Sequence, residues 1–153
     1  SSVFLAEWHT GLARLPETAP LLTRAYWDRV LAVKSAVNKQ IEEARNRKEI
    51  GSGLSAEVEL FVSDDLRGVL AQLDDELRFV LITSAARLRP LAEEGGVATD
   101  VEGLRVAVIP SVFVKCSRCW HYRADVGSHA DHPEICARCV DNVAGAGEVR
   151  HHA

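Results

Sequence analysis

The sequence lacks any apolar run long enough to cross a bilayer, which needs about 20 residues. Its longest such runs are FVLI at 79–82 and VAVIPSVFV at 106–114. The opening residues 1–8 also lack a basic segment followed by an apolar core, so we expect no secretory signal, no membrane partner and a cytoplasmic location. A chain of 153 residues, 47% hydrophobic and 26% charged, is typical of one core plus a small satellite.

No large excess of either charge is present, because the formal net charge is only -4. The charges are nevertheless unevenly spread. Residues 24–48 carry seven Lys/Arg against three Asp/Glu, residues 54–102 carry four against eleven, and residues 105–139 carry five against three. The two outer segments could bind a polyanion. The same clustering is also typical of solvated faces, so charge alone does not show that the chain binds nucleic acid.

One long helix is predicted from Thr18 or Pro20 to Gly51 or Gly53, because apolar residues recur there at steps of three and four. This stripe comprises Leu22, Tyr26, Val30, Val33, Val37, Ile41 and Ala44. We expect the stripe to be core. The opposite face is basic and includes Lys34, Lys39 and Arg45, which suit either RNA phosphates or a solvated helix face.

The next segment alternates between strand and helix signals. AEVELFV at 56–62 predicts a half-buried strand, and Ser63 can cap a short helix that runs through about Leu73. A second strand is expected within residues 78–88, where a buried helix remains an alternative, and a third at 97–101. The dipeptide EG at 102–103 then predicts a turn that leads into LRVAVI at 104–109. The predicted fold class is α+β: a long-helix segment, a small α+β unit and a cysteine knuckle or ribbon.

All four cysteines lie in two C-x-x-C pairs with sixteen residues between the pairs: Cys116, Cys119, Cys136 and Cys139. Two such knuckle turns can direct four thiolates at one point, which is the ligand set of a tetrahedral zinc site. Four protein thiolates leave no position for a catalytic water, so we expect one structural zinc. His129 and His132 could compete as ligands, but the cysteines already complete the shell.

Other interpretations of the cysteines remain open but are less favoured. Disulfides are disfavoured in a reducing cytosol. A c-type haem needs a histidine directly after the second cysteine, where Trp120 stands. Iron in a rubredoxin-like site uses the same four thiolates as zinc.

The first cysteine pair is crowded by aromatic and basic residues, and one more arginine lies in the second pair. The set comprises Lys115, Arg118, Trp120, His121, Tyr122, Arg123 and Arg138. Unpaired RNA bases stack on aromatic rings while Arg and Lys contact phosphates, so this set is a candidate RNA-binding surface. Alternatively, Trp120 and Tyr122 cover the zinc site and pack it on the α+β unit.

The sequence resembles the C-terminal region of bacterial-type isoleucyl-tRNA synthetase over essentially its whole length. The resemblance is carried, in chain order, by SVFLAEW, YWDRVLAVKSAVNKQIEEAR, EIGSGLSAEVELFV, KCSRCWHYRADVG, HPEICARCV and GAGEVRHHA. It implies three parts: the end of a helical anticodon-binding domain at 1–53, a small α+β junction domain at 54–114, and a four-cysteine zinc-binding domain at 115–153. The four cysteines carry over as zinc ligands.

The resemblance also implies an activity, partners and cofactors. The family joins isoleucine to its tRNA with ATP and Mg²⁺, and the region resembled here would grip the anticodon stem-loop and dock on the catalytic body of the same polypeptide. The HIGH-type and KMSKS-type signatures of the class I nucleotide-binding fold do not occur in the sequence. We therefore expect this chain alone to be inactive, to be monomeric, and to need ATP and Mg²⁺ only as part of the full-length enzyme.

Two rival functions share the cysteine pattern. A DNA glycosylase of the formamidopyrimidine type has a C-terminal zinc finger with similar spacing, but it would need an N-terminal Pro-Glu and a helix-two-turn-helix, which this sequence does not offer. A zinc-ribbon module that binds another protein is the other rival. Binding to an isoleucine tRNA stem-loop, to damaged duplex DNA or to no nucleic acid would separate the three.

Overall fold

A four-stranded sheet lies at the centre of the computed structural model, which describes residues 3–7, 10–11 and 23–152. Its strands are β1 (Ala56–Val62), β2 (Ala85–Pro90), β3 (Val97–Ala98) and β4 (Leu104–Pro110), in the order β2-β1-β4-β3. β1 pairs parallel with β2 and antiparallel with β4. Both faces of β1 are buried apart from Glu59, so the expectation of a half-buried strand was wrong: a central strand is covered on both sides.

The predicted long helix is present as α1 (Arg24–Asn46). Thr23 caps it, since the Thr23 side chain accepts a hydrogen bond from the backbone N–H of Tyr26 at 3.2 Å. The predicted stripe is buried from Tyr26 through Ala44. Leu22 and the two predicted start residues, Thr18 and Pro20, lie outside the described residues.

The helix ends before the predicted glycines. Lys48 adopts a left-handed conformation with φ of 61°, and the backbone N–H of Glu49 donates to the Ala44 carbonyl at 3.0 Å. This reversal carries Ile50 back into the core, where it is 8% exposed. Burial of Ile50 therefore outweighs continuation of the helix towards Gly51.

Two short helices connect β1 to β2. Ser63 caps α2 (Asp64–Leu70), as predicted, and a 3₁₀ segment follows at Ala71–Glu76. Residues Leu77–Leu81 then form α3, so the first part of the range 78–88 takes the helical alternative, and the predicted second strand is β2, which starts at Ala85. The third predicted strand, at 97–101, is limited to the two residues of β3.

The stripe of α1 and the sheet share one hydrophobic core, which also takes in Leu66 of α2 and Leu77 of α3. The cysteine region has a smaller core of its own. It contains a two-stranded hairpin of β5 (Val114–Lys115) and β6 (Tyr122–Arg123), followed by α4 (Ala137–Ala144). Among the described helices, none is long and apolar enough to cross a bilayer.

Part of the acidic segment 54–102 lies beside the basic face of α1. Arg29 forms an ion pair with Asp65, and Lys39 forms one with Asp100 at 3.1 Å. These two ion pairs place Asp65 and Asp100 of the acidic segment against α1. Opposite charges on neighbouring elements attract, so part of the basic face is already neutralised within the chain.

Candidate metal centre and nucleic-acid interface

The four cysteine sulfurs form one cluster in which all ligand atoms lie within 4.8 Å of one another. Cys119 Sγ and Cys136 Sγ are 3.8 Å apart. A tetrahedral zinc with Zn–S distances of about 2.3 Å would hold its sulfurs about 3.8 Å apart. The donor set and its spacing therefore fit zinc.

Local turns bring the two pairs together. The first pair lies in the tight turn between β5 and β6, where the backbone N–H of Trp120 donates to the Cys116 carbonyl at 3.0 Å. The second pair lies at the start of α4, with Cys136 at its N-cap position. The backbone N–H of Ser117 donates to the Glu134 carbonyl at 3.0 Å and ties the two segments together.

The surroundings of the sulfurs are not uniform. Burial raises the pKa of the Cys116 thiol, but backbone amides donate to its sulfur and together bring that pKa to about 6. Burial and contacts with neighbouring sulfurs raise the pKa of Cys136 to about 12. A cation at the centre would favour the thiolate form of both groups, and a divalent zinc would supply that charge.

Trp120 stands out among the aromatic residues because it is exposed. Its residue surface is 59% accessible, and its φ of 66° is left-handed. The Lys115 Nζ lies 4.7 Å from the centre of its ring. Trp120 therefore does not cover the metal centre, which was the alternative role considered for it, but projects beside it with a cation over one part of the ring.

His121 and Tyr122 are placed differently. His121 is buried, its Nδ1 lies 3.2 Å from the Cys119 carbonyl, and its ring meets Phe79 edge to face at 5.7 Å. Tyr122 is half-buried, and its backbone N–H donates to Ser84 Oγ at 2.6 Å. Both residues pack the knuckle onto the α+β unit.

The three arginines of the predicted set also differ. Arg118 Nη1 lies 3.6 Å from Cys139 Sγ. Arg123 is half-buried and lies 3.6 Å from an Asp125 oxygen. Arg138 is largely buried, donates to Glu148 at 2.7 Å and lies over the Phe79 ring at 5.1 Å. Their contact with RNA stays a prediction, and only Arg118 of the three is exposed.

The structure gathers these seven residues around the cysteine cluster, whereas the three predicted helix residues lie on α1. Lys39 binds Asp100, Arg45 binds Glu42 at 2.7 Å, and Lys34 is half-buried. Sequence reasoning missed Ser84, which links the knuckle to the sheet. A lone serine directly before a short strand carries no signal for that role.

Known proteins match both the knuckle and the whole chain. Residues 115–142 match the family described as a zinc finger found in FPG and IleRS. Isoleucine–tRNA ligases of Pseudomonas putida strain W619, P. putida strain GB-1 and Ectopseudomonas mendocina are 59%, 58% and 58% identical over 99% of this chain.

The resemblance to bacterial isoleucine–tRNA ligases is confirmed. The zinc-finger family occurs both in FPG, the formamidopyrimidine type of glycosylase, and in IleRS, so the whole-chain identity is what favours the ligase over the glycosylase. The zinc-finger match and the four-sulfur cluster support one structural zinc. The chain spans 16% of the length of the curated relatives it matches.

Proposed function

We propose that the chain is the C-terminal, tRNA-contacting portion of an isoleucine–tRNA ligase. The full-length enzyme would join isoleucine to its tRNA with ATP and Mg²⁺ in the cytoplasm, and the knuckle would contact the anticodon stem-loop. Identity of 59% to such a ligase over nearly the whole chain supports this proposal. The division at 1–53, 54–114 and 115–153, a monomeric state and docking on the catalytic body belong to the same proposal.

The metal centre would act as a scaffold in this role. Zinc held by Cys116, Cys119, Cys136 and Cys139 supplies no chemistry beyond cross-linking the two turns, because four thiolates fill its coordination sphere. The turn that follows Cys116 then fixes the backbone of Trp120. A rigid backbone lowers the entropy cost of presenting the ring to a ligand.

The backbone of Trp120 is the observation that carries the proposal. A left-handed conformation costs a residue with a Cβ roughly 1–2 kcal/mol, and glycine avoids this cost. The ring of Trp120 does not recover the cost by burial, since the residue is 59% exposed. Strain at an exposed aromatic residue beside a rigid turn supports a role in contact with a ligand.

An unpaired base of the anticodon loop is the ligand that suits this ring. Bases stack on aromatic faces, and a tryptophan offers the largest face among the side chains. Lys115, 4.7 Å from the ring centre, is positioned to meet the phosphate of a stacked nucleotide. The buried His121 and the paired Arg138 would act by holding the knuckle on the sheet.

Trp120→Gly tests the proposal sharply because it removes the ring and the backbone strain together. We expect the variant to retain its zinc, to melt no lower than the parent, and to bind an isoleucine tRNA anticodon stem-loop more weakly by about 1–3 kcal/mol. Trp120→Phe should recover part of the affinity. Val112→Ala, which trims an apolar residue that is 90% exposed near the same hairpin, is the matched control and should bind like the parent.

Equal binding by Trp120→Gly and the parent would contradict the proposal. The same titration against duplex DNA that contains a damaged base tests the glycosylase alternative. Binding to the damaged duplex in preference to the stem-loop would favour that alternative, and binding to neither would favour a protein partner.

A further inference from the structure

Each cysteine pair carries an arginine directly before its second cysteine. The pairs read C-S-R-C and C-A-R-C, with Arg118 in the first and Arg138 in the second. Neither side chain is needed to form the turns, which are made by backbone hydrogen bonds. These two arginines therefore have a role other than forming the turns.

Arg118 reaches across the centre to the other pair. Its Nη1 lies 3.6 Å from the sulfur of Cys139, twenty-one residues further along the chain. This is within the range of an N–H···S hydrogen bond, and the donor is permanently charged. A side chain from one knuckle thus interacts with a sulfur of the other.

Arg138 stands in the corresponding place on the second knuckle. Its side chain is only 17% exposed, and Glu148 accepts from its Nη1 at 2.7 Å. The guanidinium group of Arg138 is therefore held by a carboxylate, whereas that of Arg118 lies against a sulfur.

The sulfur of Cys116 has a backbone partner instead, since the Cys136 N–H lies 3.4 Å from Cys116 Sγ. Arg118 contacts Cys139, the second cysteine of the opposite pair.

We propose that Arg118 is a positioning residue of the zinc centre, which donates to Cys139, the second cysteine of the opposite pair. Four thiolates carry twice the charge of divalent zinc, so the occupied centre would be a dianion. Burying this charge without partners is costly, and the guanidinium group of Arg118 balances part of it. The contact between Arg118 and Cys139 also links the two knuckles independently of the metal.

The experiment measures zinc affinity of the 153-residue chain without any RNA, so its result does not depend on the proposed tRNA contact. Arg118→Ala should weaken zinc binding by about 10- to 100-fold in competition with a chromogenic chelator, as loss of an outer hydrogen-bond partner does at other metal sites. Arg118→Lys should lose less, because it keeps the charge. In the cobalt-substituted protein, Arg118→Ala should also shift the sulfur-to-cobalt charge-transfer band, which a general loss of stability would not do.

Lys115→Ala is the matched control, because it removes the same charge from the strand that leads into this turn, and its Nζ lies over Trp120. It should bind zinc within about two-fold of the parent and leave the cobalt band unchanged. The proposal is overturned if Arg118→Ala retains the parent's affinity and band, or if Lys115→Ala weakens zinc as much as Arg118→Ala. Should Arg118→Ala not fold, Arg118→Lys decides by the same comparison with Lys115→Ala.

Discussion

Ser84 and Tyr122 join the metal knuckle to the sheet through one hydroxyl group. Ser84 Oγ accepts from the backbone N–H of Tyr122 at 2.6 Å and donates to the Leu54 carbonyl at 2.5 Å. Ser84→Ala would leave a partly buried N–H of β6 without its partner. We expect a loss of about 1–3 kcal/mol in the free energy of unfolding, measured with urea in the presence of zinc.

Ser117→Ala is the control for this change. The Ser117 hydroxyl also donates to a backbone carbonyl, that of Glu134 at 3.1 Å, but Ser117 is exposed and water can replace the bond. Its loss should stay within about 0.5 kcal/mol. If both variants unfold at the same urea concentration, the Ser84 bridge contributes nothing to stability.

A second prediction concerns Ile82, which ends α3 in a left-handed conformation with φ of 58°. A β-branched residue is strained there, and the residue is 55% exposed, so little burial would be lost on truncation. Ile82→Gly should therefore raise the free energy of unfolding by about 1 kcal/mol.

Ile82→Ala separates backbone strain from loss of the side chain, because alanine keeps a Cβ. It should be no more stable than the parent in the same urea series. A glycine variant that is less stable than the alanine variant would show that the left-handed turn is not under strain.

A third prediction follows from the separate cores of the knuckle and the α1–sheet unit. Structural zinc contributes on the order of 10 kcal/mol to small thiolate sites, so its removal by a chelator should unfold the knuckle first. Hydrogen exchange should then speed up in residues 114–140 while β1 and α1 stay protected. Equal loss of protection in β1 would contradict this order.

The sequence predicts those elements whose burial or capping follows a simple local pattern. The stripe of α1, the cap at Ser63 and the α+β class are of this kind. The sequence does not indicate that β1 is covered on both faces or that residues 77–81 are helical, because both depend on which elements pack around them. Tertiary packing overrides local pattern in such short segments.

The candidate site likewise has a part that the sequence predicts and a part that it does not. Spacing alone identifies the four cysteines, since ligand geometry constrains the turns. It cannot separate the exposed Trp120 from the buried His121 one residue later, because the left-handed turn at Trp120 decides which ring faces solvent. The repeated arginine before each second cysteine was present in the sequence, but the contact of Arg118 with Cys139 appears only in the fold.

The most direct test of the tRNA-contact account is an NMR titration of the isotope-labelled chain with an isoleucine tRNA anticodon stem-loop. The account predicts that the indole N–H signal of Trp120 shifts together with the amide signals of the knuckle, and that a higher salt concentration weakens binding. In Trp120→Gly, the largest shifts of the knuckle amides should be lost while zinc stays bound. Shifts confined to α1, or an indole signal that does not move at saturating RNA, would contradict it.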